Sequence, residues 1–135
     1  MVEEALVLIK PDAVRRQLIG SILHEYEKLG LRISHLEMQI ATTERVEAHY
    51  SKLADKPFFD EIVSSLSSGP LVIVILTGED CIERVRIING PTDPKEADES
   101  TIRGKYGISL TENTVHASDS TQNAQKEINL WVPKR

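Results

Sequence analysis

The run Leu71-Val72-Ile73-Val74-Ile75-Leu76 constrains the fold more than any other part of the chain. It lies between the breaker Gly69-Pro70 and the pair Thr77-Gly78, so its length suits one strand. Successive side chains of a strand point to opposite faces, and here no polar residue alternates with the apolar ones. Such a strand must be covered on both faces, which places it centrally in a sheet with packed layers on each side. At six residues it is far short of the ~20 that a membrane helix needs.

The rest of the chain supplies those layers. Ala5-Leu6-Val7-Leu8-Ile9 reads as a first strand, stopped by Pro11 just after Lys10. Leu18, Ile22, Leu23, Tyr26 and Leu29 recur at helical spacing, and Gly30 marks a helix end. Residues 31–41 alternate in part, which predicts a strand with one irregularity near Ser34-His35. Thr42 or Thr43 can cap a helix with the stripe Val46, Tyr50 and Leu53, and Pro57 opens another that carries Phe58, Ile62, Val63 and Leu66. After the central strand, Asp80 is placed to cap a helix with Ile82, Val85 and Ile88 inward. Residues 89–100 lose all periodicity and are dense in turn formers, and a connection of that length in a compact domain is usually functional. Thr114-Val115-His116-Ala117 forms the last strand, and Ser120 caps a final helix with Ala124, Ile128 and Trp131 on one side. The expected fold is a single α+β domain over residues 1–135. It is a ferredoxin-like sandwich with a four-stranded antiparallel sheet and additional helices.

Charge and composition narrow the partners. With 16 Lys+Arg against 21 Asp+Glu the net charge is −5, which leaves no electrostatic footprint for nucleic acid or an anionic membrane. A nucleic-acid-binding sheet would also need aromatics on its strands, whereas Phe58 and Phe59 fall on a predicted helix. Cys81 is the only cysteine, so an intrachain disulfide is impossible and a structural zinc site is not expected. Met1 leads into Glu3 and Glu4 without the basic and apolar regions of a signal peptide, so a cytoplasmic location is expected.

The phosphate-binding glycine motifs are absent, so any phosphate must be held by individual side chains. Taken alone, His116 beside β-branched neighbours reads as an ordinary structural histidine. Its setting points further, since Thr111, Glu112 and Asn113 precede it and Ser118 and Asp119 follow. Glu127 lies about two helical turns beyond Ser120, within reach to orient an imidazole. Arg86 and Arg103 bracket the loop that contains Thr92, and arginine forks match phosphate oxygens. Lys10, at a strand end, can project into a cleft, and an outward Phe58 or Phe59 can stack on a base. Read singly, the commoner role is the ordinary one: a structural histidine for His116, solvated side chains for Arg86, Arg103 and Lys10, and helix packing for the Phe58-Phe59 pair.

In combination they carry a resemblance. The segments ALVLIKPD (5–12), His49-Tyr50, Lys56-Pro57-Phe58-Phe59, Ser68-Gly69-Pro70, Thr101-Ile102-Arg103-Gly104 and NTVHASDS (113–120) occur in an order similar to the nucleoside diphosphate kinases. The similarity runs from about Ala5 to Trp131, and its N-x-x-H-[GA]-S-D segment is highly specific. The resemblance implies a ping-pong transfer of the γ-phosphate of a nucleoside triphosphate, mainly ATP, to other nucleoside diphosphates. In that scheme His116 is the nucleophile, Ser118 and Glu127 orient it, and Tyr50 shapes the site beside it. Phe58 stacks on the base, Lys10 and Asn113 contact the sugar, and Arg86, Thr92 and Arg103 hold the phosphates. Lys10 also lies near the travelling phosphate.

Magnesium is implied as a bridge between nucleotide phosphates, without a protein ligand. A homo-oligomer, hexamer or tetramer of dimers, is implied as well. Three features depart from the family pattern: Ala117 where glycine is commoner, Glu99-Ser100 where Pro-Gly is frequent, and an end soon after Trp131. The alternative is a catalytically silent nucleotide-binding or regulatory module on the same scaffold. Loss of His116, Arg86 or Arg103 would have favoured it, and all three are present.

Overall fold

In the computed structural model, which describes residues 1–134, the sheet contains β1 (Val2–Ile9), β2 (Arg32–Gln39), β3 (Leu71–Glu79) and β4 (Val115–Ala117). Their order is β2-β3-β1-β4, and every neighbouring pair is antiparallel. The apolar run therefore sits centrally. Its alternate residues serve two cores: Leu71, Ile73 and Ile75 face one, Val72, Val74 and Leu76 the other. β1 divides in the same way, Leu6 and Leu8 against Ala5, Val7 and Ile9. Full burial of each Val, Leu or Ile side chain is worth about 1.5–3 kcal/mol of transfer free energy.

The seven helices are α1 (Pro11–Arg15), α2 (Ile19–Lys28), α3 (Thr43–His49), α4 (Phe59–Leu66), α5 (Cys81–Asn89), α6 (Ile102–Tyr106) and α7 (Thr121–Trp131) among the described residues. One layer contributes Ile22 and Tyr26 of α2, Val85 of α5 and Ile102 of α6 to the first core. The opposite layer contributes Val46 of α3, Val63 and Leu66 of α4, and Ile128 and Trp131 of α7.

Several local expectations hold. β2 carries a register shift between Ile33 and His35, and the hydroxyl of Ser34 donates to the Ile75 carbonyl beside it. Thr42 caps α3, accepting from Arg45 N at 3.2 Å, and Ser120 caps α7, accepting from Asn123 N at 3.0 Å.

Others are corrected. α3 stops at His49, so Tyr50 and Leu53 fall beyond it, Leu53 in a 3-10 turn at Ser51–Leu53. Pro57 stands ahead of α4, whose first residue is Phe59 and whose cap position is Phe58. Asp80 occupies the cap position of α5 with φ +50° and no side-chain cap bond. Its job passes to Glu3 on β1, whose Oε1 accepts from Ile82 N at 3.1 Å. The last strand begins at Val115 and leaves Thr114 outside it. Helices α1 and α6 were not foreseen, because five residues hold too little of a helical repeat to show in a sequence. The loop at 89–100 contains one 3-10 turn, Pro94–Glu96, capped by the Asp93 carboxylate.

Candidate functional site

The site forms where the C-terminal end of β1, the strand β4, α4 and the long loop meet. A cleft of about 920 Å³ opens there, lined by Lys10, Tyr50, Phe58, Arg86, Thr92 and Arg103, with Asn113 and His116 also on its wall. Ser118 and Glu127 lie behind His116. The ten residues to which the resemblance assigns a role are thus in the cleft or directly supporting its histidine, whereas Phe59 and Glu112 lie outside it.

His116 is held from the sheet side. It pairs with Leu8 across the β1–β4 ladder, and Ser118 N donates to the Leu6 carbonyl. Its Nε2 lies 3.1 Å from Glu127 Oε1, and the Ser118 hydroxyl donates to that same oxygen at 2.7 Å. The Ser118 oxygen in turn accepts from Leu6 N at 3.1 Å, so its one hydrogen goes to Glu127 while its oxygen is anchored to β1. A carboxylate only accepts, so the His116 proton resides on Nε2 and the lone pair on Nδ1. Burial alone would raise the Glu127 carboxyl, but the bonds from His116 and Ser118, with the nearby imidazoles, hold it below the usual carboxylate range. Glu127 is therefore charged and serves as a fixed acceptor.

The opposite wall carries the cations. Lys10 is 7% exposed, and its Nζ donates to Asn113 Oδ1 at 2.6 Å. Burial, with the charge of Arg103, pushes the Lys10 ammonium down to about 8, against the pull of Asp12. The amide of Asn113 continues the chain of contacts, donating to the Thr92 carbonyl at 3.0 Å and so pinning the long loop. Arg103 braces the backbone around the cleft. Its two terminal nitrogens donate to the carbonyls of Gly90 and Val115, both at 2.7 Å, and tie the loop entrance to β4. Arg86 is exposed on the same wall, and Phe58 stands 44% exposed at the mouth while Phe59 packs against the core.

The two departures that touch this site have structural answers. Ala117 pairs with Val7 in β4 and is not among the residues with positive φ, so the missing glycine costs nothing there. The unusual backbone falls at Thr114, with φ +82° and Val115 N donating back to Asn113 O at 3.0 Å, a γ-turn of the rare positive-φ kind. At Glu99-Ser100 the rigidity of a proline is replaced by Asp98: its carboxylate accepts from Ser100 N at 2.9 Å and its carbonyl accepts from Thr101 N and Oγ1.

The family model for nucleoside diphosphate kinase matches residues 3–135. The chain belongs to the nucleoside diphosphate kinase family. It is 51% identical over 132 residues to the nucleoside diphosphate kinase of Clostridium perfringens, covering 98% of this chain and 92% of that one. It is 45% identical to that of Streptomyces coelicolor, covering 100% and 99%. The crystal structure of the Aquifex aeolicus nucleoside diphosphate kinase superposes with a TM-score of 0.93 at 41% identity, over 96% of this chain and 94% of that one. The apo enzyme of Encephalitozoon cuniculi gives 0.94 at 40%, over 96% and 88%. Membership sets the reaction class, a phosphotransferase acting between nucleotides, and the neighbours carry the same ferredoxin-like α+β fold.

Sequence reasoning missed two buried groups of this kinase site. His49, noted only as part of a motif, stands with its ring centroid 4.4 Å from that of His116. Asp12 is 3% exposed, and burial holds its carboxyl above the ordinary range while Lys10 pulls it down. No spacing rule could have found either. Asp12 is separated from its neighbour Glu112 by most of the chain, and His49 reaches His116 only through the packing of α3 against α7. Among the described residues no helix is long and apolar enough to cross a membrane.

Proposed function

We propose that this chain moves the γ-phosphoryl group of a nucleoside triphosphate, mainly ATP, to other nucleoside diphosphates through a phosphohistidine on His116. The observation that carries the reading is the His116 ring on the cleft wall, with Nε2 held by the Glu127–Ser118 pair and Nδ1 left as the free lone pair. In the first half-reaction Nδ1 bonds to the γ-phosphorus while the bond to the β-phosphate oxygen breaks, and the diphosphate leaves with both electrons of that bond. The second half-reaction is the reverse, with a different diphosphate as acceptor. Glu127 stabilises the positive charge that develops on the ring.

The surrounding residues do the positioning that phosphoryl transfer chiefly requires. Arg86, Arg103 and Thr92 line the phosphate side, Lys10 and Asn113 lie where the sugar and the travelling group meet, and Tyr50 walls the ring of His116. Phe58 offers its face to the base, and stacking tolerates every base, which supports broad base acceptance.

Magnesium fits as a companion of the nucleotide. The one cluster of potential metal ligands among the described residues is His49, His116 and Glu127, and imidazole nitrogens do not suit a hard cation that prefers oxygen. Mg²⁺ would therefore sit on the phosphate oxygens, where it supplies charge neutralisation. One domain over residues 1–135 carries the activity, in the cytoplasm, maintaining nucleoside triphosphate pools. The open edge of β2 exposes Leu36, Met38 and, just beyond, Ile40, which supports association of copies into a homo-oligomer, a tetramer or hexamer built from dimers.

Labelling tests the reading directly. Incubated with γ-labelled ATP and Mg²⁺, the protein acquires acid-labile, base-stable label that GDP chases off, and His116→Ala acquires none. An unlabelled native protein, or full label on the variant, rejects the mechanism in favour of a silent module.

A further inference from the structure

His49 ends α3 with its imidazole sealed from solvent, the side chain being 1% exposed. Its Nδ1 lies 2.8 Å from Trp131 Nε1. An indole N–H can only donate, so Nδ1 must be the unprotonated nitrogen and the ring proton belongs on Nε2. That Nε2 faces Glu127 Oε2 at 3.9 Å, too long for a hydrogen bond but close enough for the N–H dipole to act on the carboxylate. Oε1 is already taken by His116 and Ser118, whereas Oε2 takes no hydrogen bond among the described residues. The His49 ring stands at 83° to that of His116 and at 64° to that of Tyr50, 4.6 Å away. His49 therefore touches each side of the histidine–carboxylate pair without lining the cleft.

We propose that His49 is a positioning residue for the phosphoryl transfer. Locked as its Nε2–H tautomer by the Trp131 indole, it holds the Glu127 carboxylate in the rotation that keeps the proton on Nε2 of His116 and the lone pair on Nδ1. The inference rests on His116 being the nucleophile and adds a residue to that reading. The charges facing His49 are consistent with a neutral ring. Glu127 on α7 is the anion beside it, Lys10 after β1 is the cation, the imidazole of His116 on β4 faces it edge-on, and Tyr50 is a phenol whose hydroxyl burial holds protonated. Arg45 lies over the far ring system, 5.6 Å from the Trp131 centroid. Burial first, and then His116, pushes the His49 imidazole down to about 3, so it keeps a single protonation state across the working range of the reaction.

Two variants separate the inference from mere packing. His49→Asn keeps an acceptor for the Trp131 indole and deletes the N–H that faces Glu127; His49→Gln returns an N–H near that place. Three readings are taken from each: single-turnover phosphorylation by ATP, the KM for nucleotide, and the nitrogen-15 shifts of the His116 ring. In the native protein the nitrogen-15 shifts of both rings, His49 as well as His116, are expected to report Nε2–H. The asparagine variant is expected to phosphorylate roughly 10-fold more slowly, a typical loss when an outer partner of a reactive imidazole is removed. Its KM stays unchanged, its His116 becomes a tautomer mixture, and glutamine restores most of the rate. A native His49 carrying its proton on Nδ1 overturns the proposal. So does a His116 tautomer untouched by His49→Asn, whatever the rate does. If the native protein takes no label at all, the failure lies with His116 as nucleophile and not with His49.

Discussion

Lys10 keeps its positive charge in a place that disfavours it. Burial and the neighbouring Arg103 bring its pKa down from the ordinary lysine value to about 8, and only Asp12 pulls it back. A neutral amine could not hold a travelling phosphoryl group, so kcat/KM, which reports the free enzyme, should fall as pH rises through about 8. Stability should move the other way. In the unfolded chain the lysine stays protonated to about 10.5, so between pH 8 and 10.5 the unfolded state binds more protons and folding gains as pH rises. An alkaline limb near pH 8, seen in pH–rate profiles while the thermal midpoint does not decline with it, is the expected signature. Asp12→Asn removes the one opposing charge and should move that limb to lower pH; a limb that stays in place would detach Asp12 from Lys10. The sequence showed Lys10 as a strand-end residue, but its burial depends on Asn113 and Arg103, which come from distant parts of the chain.

Among the elements, α6 illustrates how a short motif serves the site. Thr101 caps it through Gly104 N at 3.0 Å, and Arg103 reaches from its first turn to Gly90 and Val115. Gly104 permits this: a Cβ there would stand 1.9 Å from the Asp98 carbonyl oxygen, a backbone atom that the Ser100 and Thr101 contacts hold in place. Gly104→Ala should therefore push α6 away from the loop, destabilise the fold by about 1–3 kcal/mol as an overpacked site does, and raise the KM for nucleotide by displacing Arg103. Melting curves and steady-state kinetics check both halves, and an unchanged KM would mean that Arg103 does not depend on this packing. The motif Thr101-Ile102-Arg103-Gly104 was visible in the sequence. Its helix was not, because so short an element has no amphipathic period and exists only while the Asp98 turn braces it.

For the molecule as a whole, the central strand makes the two cores mechanically dependent. Ile75 and Val74 are adjacent, fully buried, and point into different layers. Ile75→Ala should cost about 2–5 kcal/mol, the usual range for a buried large-to-small change. It should lower the denaturant midpoint without changing the slope, because α7 and its Glu127 pack on the same layer and unfold with it. A biphasic transition would show instead that the two layers come apart separately. The site draws on both sides of this coupling: His116 and Ser118 hang on β1 through the β4 ladder, and Glu127 reaches them from the layer behind.

What the chain declares in one dimension is periodicity, punctuation and short motifs. From these come the central strand at Leu71–Leu76, the bulge near Ser34, the caps at Thr42 and Ser120, and the reach from Glu127 to His116, since each rests on contacts between residues close in sequence or on one repeating pattern. Tertiary structure alone decided the rest. The Glu3 cap on α5, the burial of Lys10 and Asp12, and the Trp131–His49 contact each join groups far apart in the chain. The strain at Thr114 belongs with them, because a β-branched residue at positive φ is the opposite of what its own preference predicts. Such contacts carry no local signature: their energy arises only once the sheet has brought the partners together and removed the water between them.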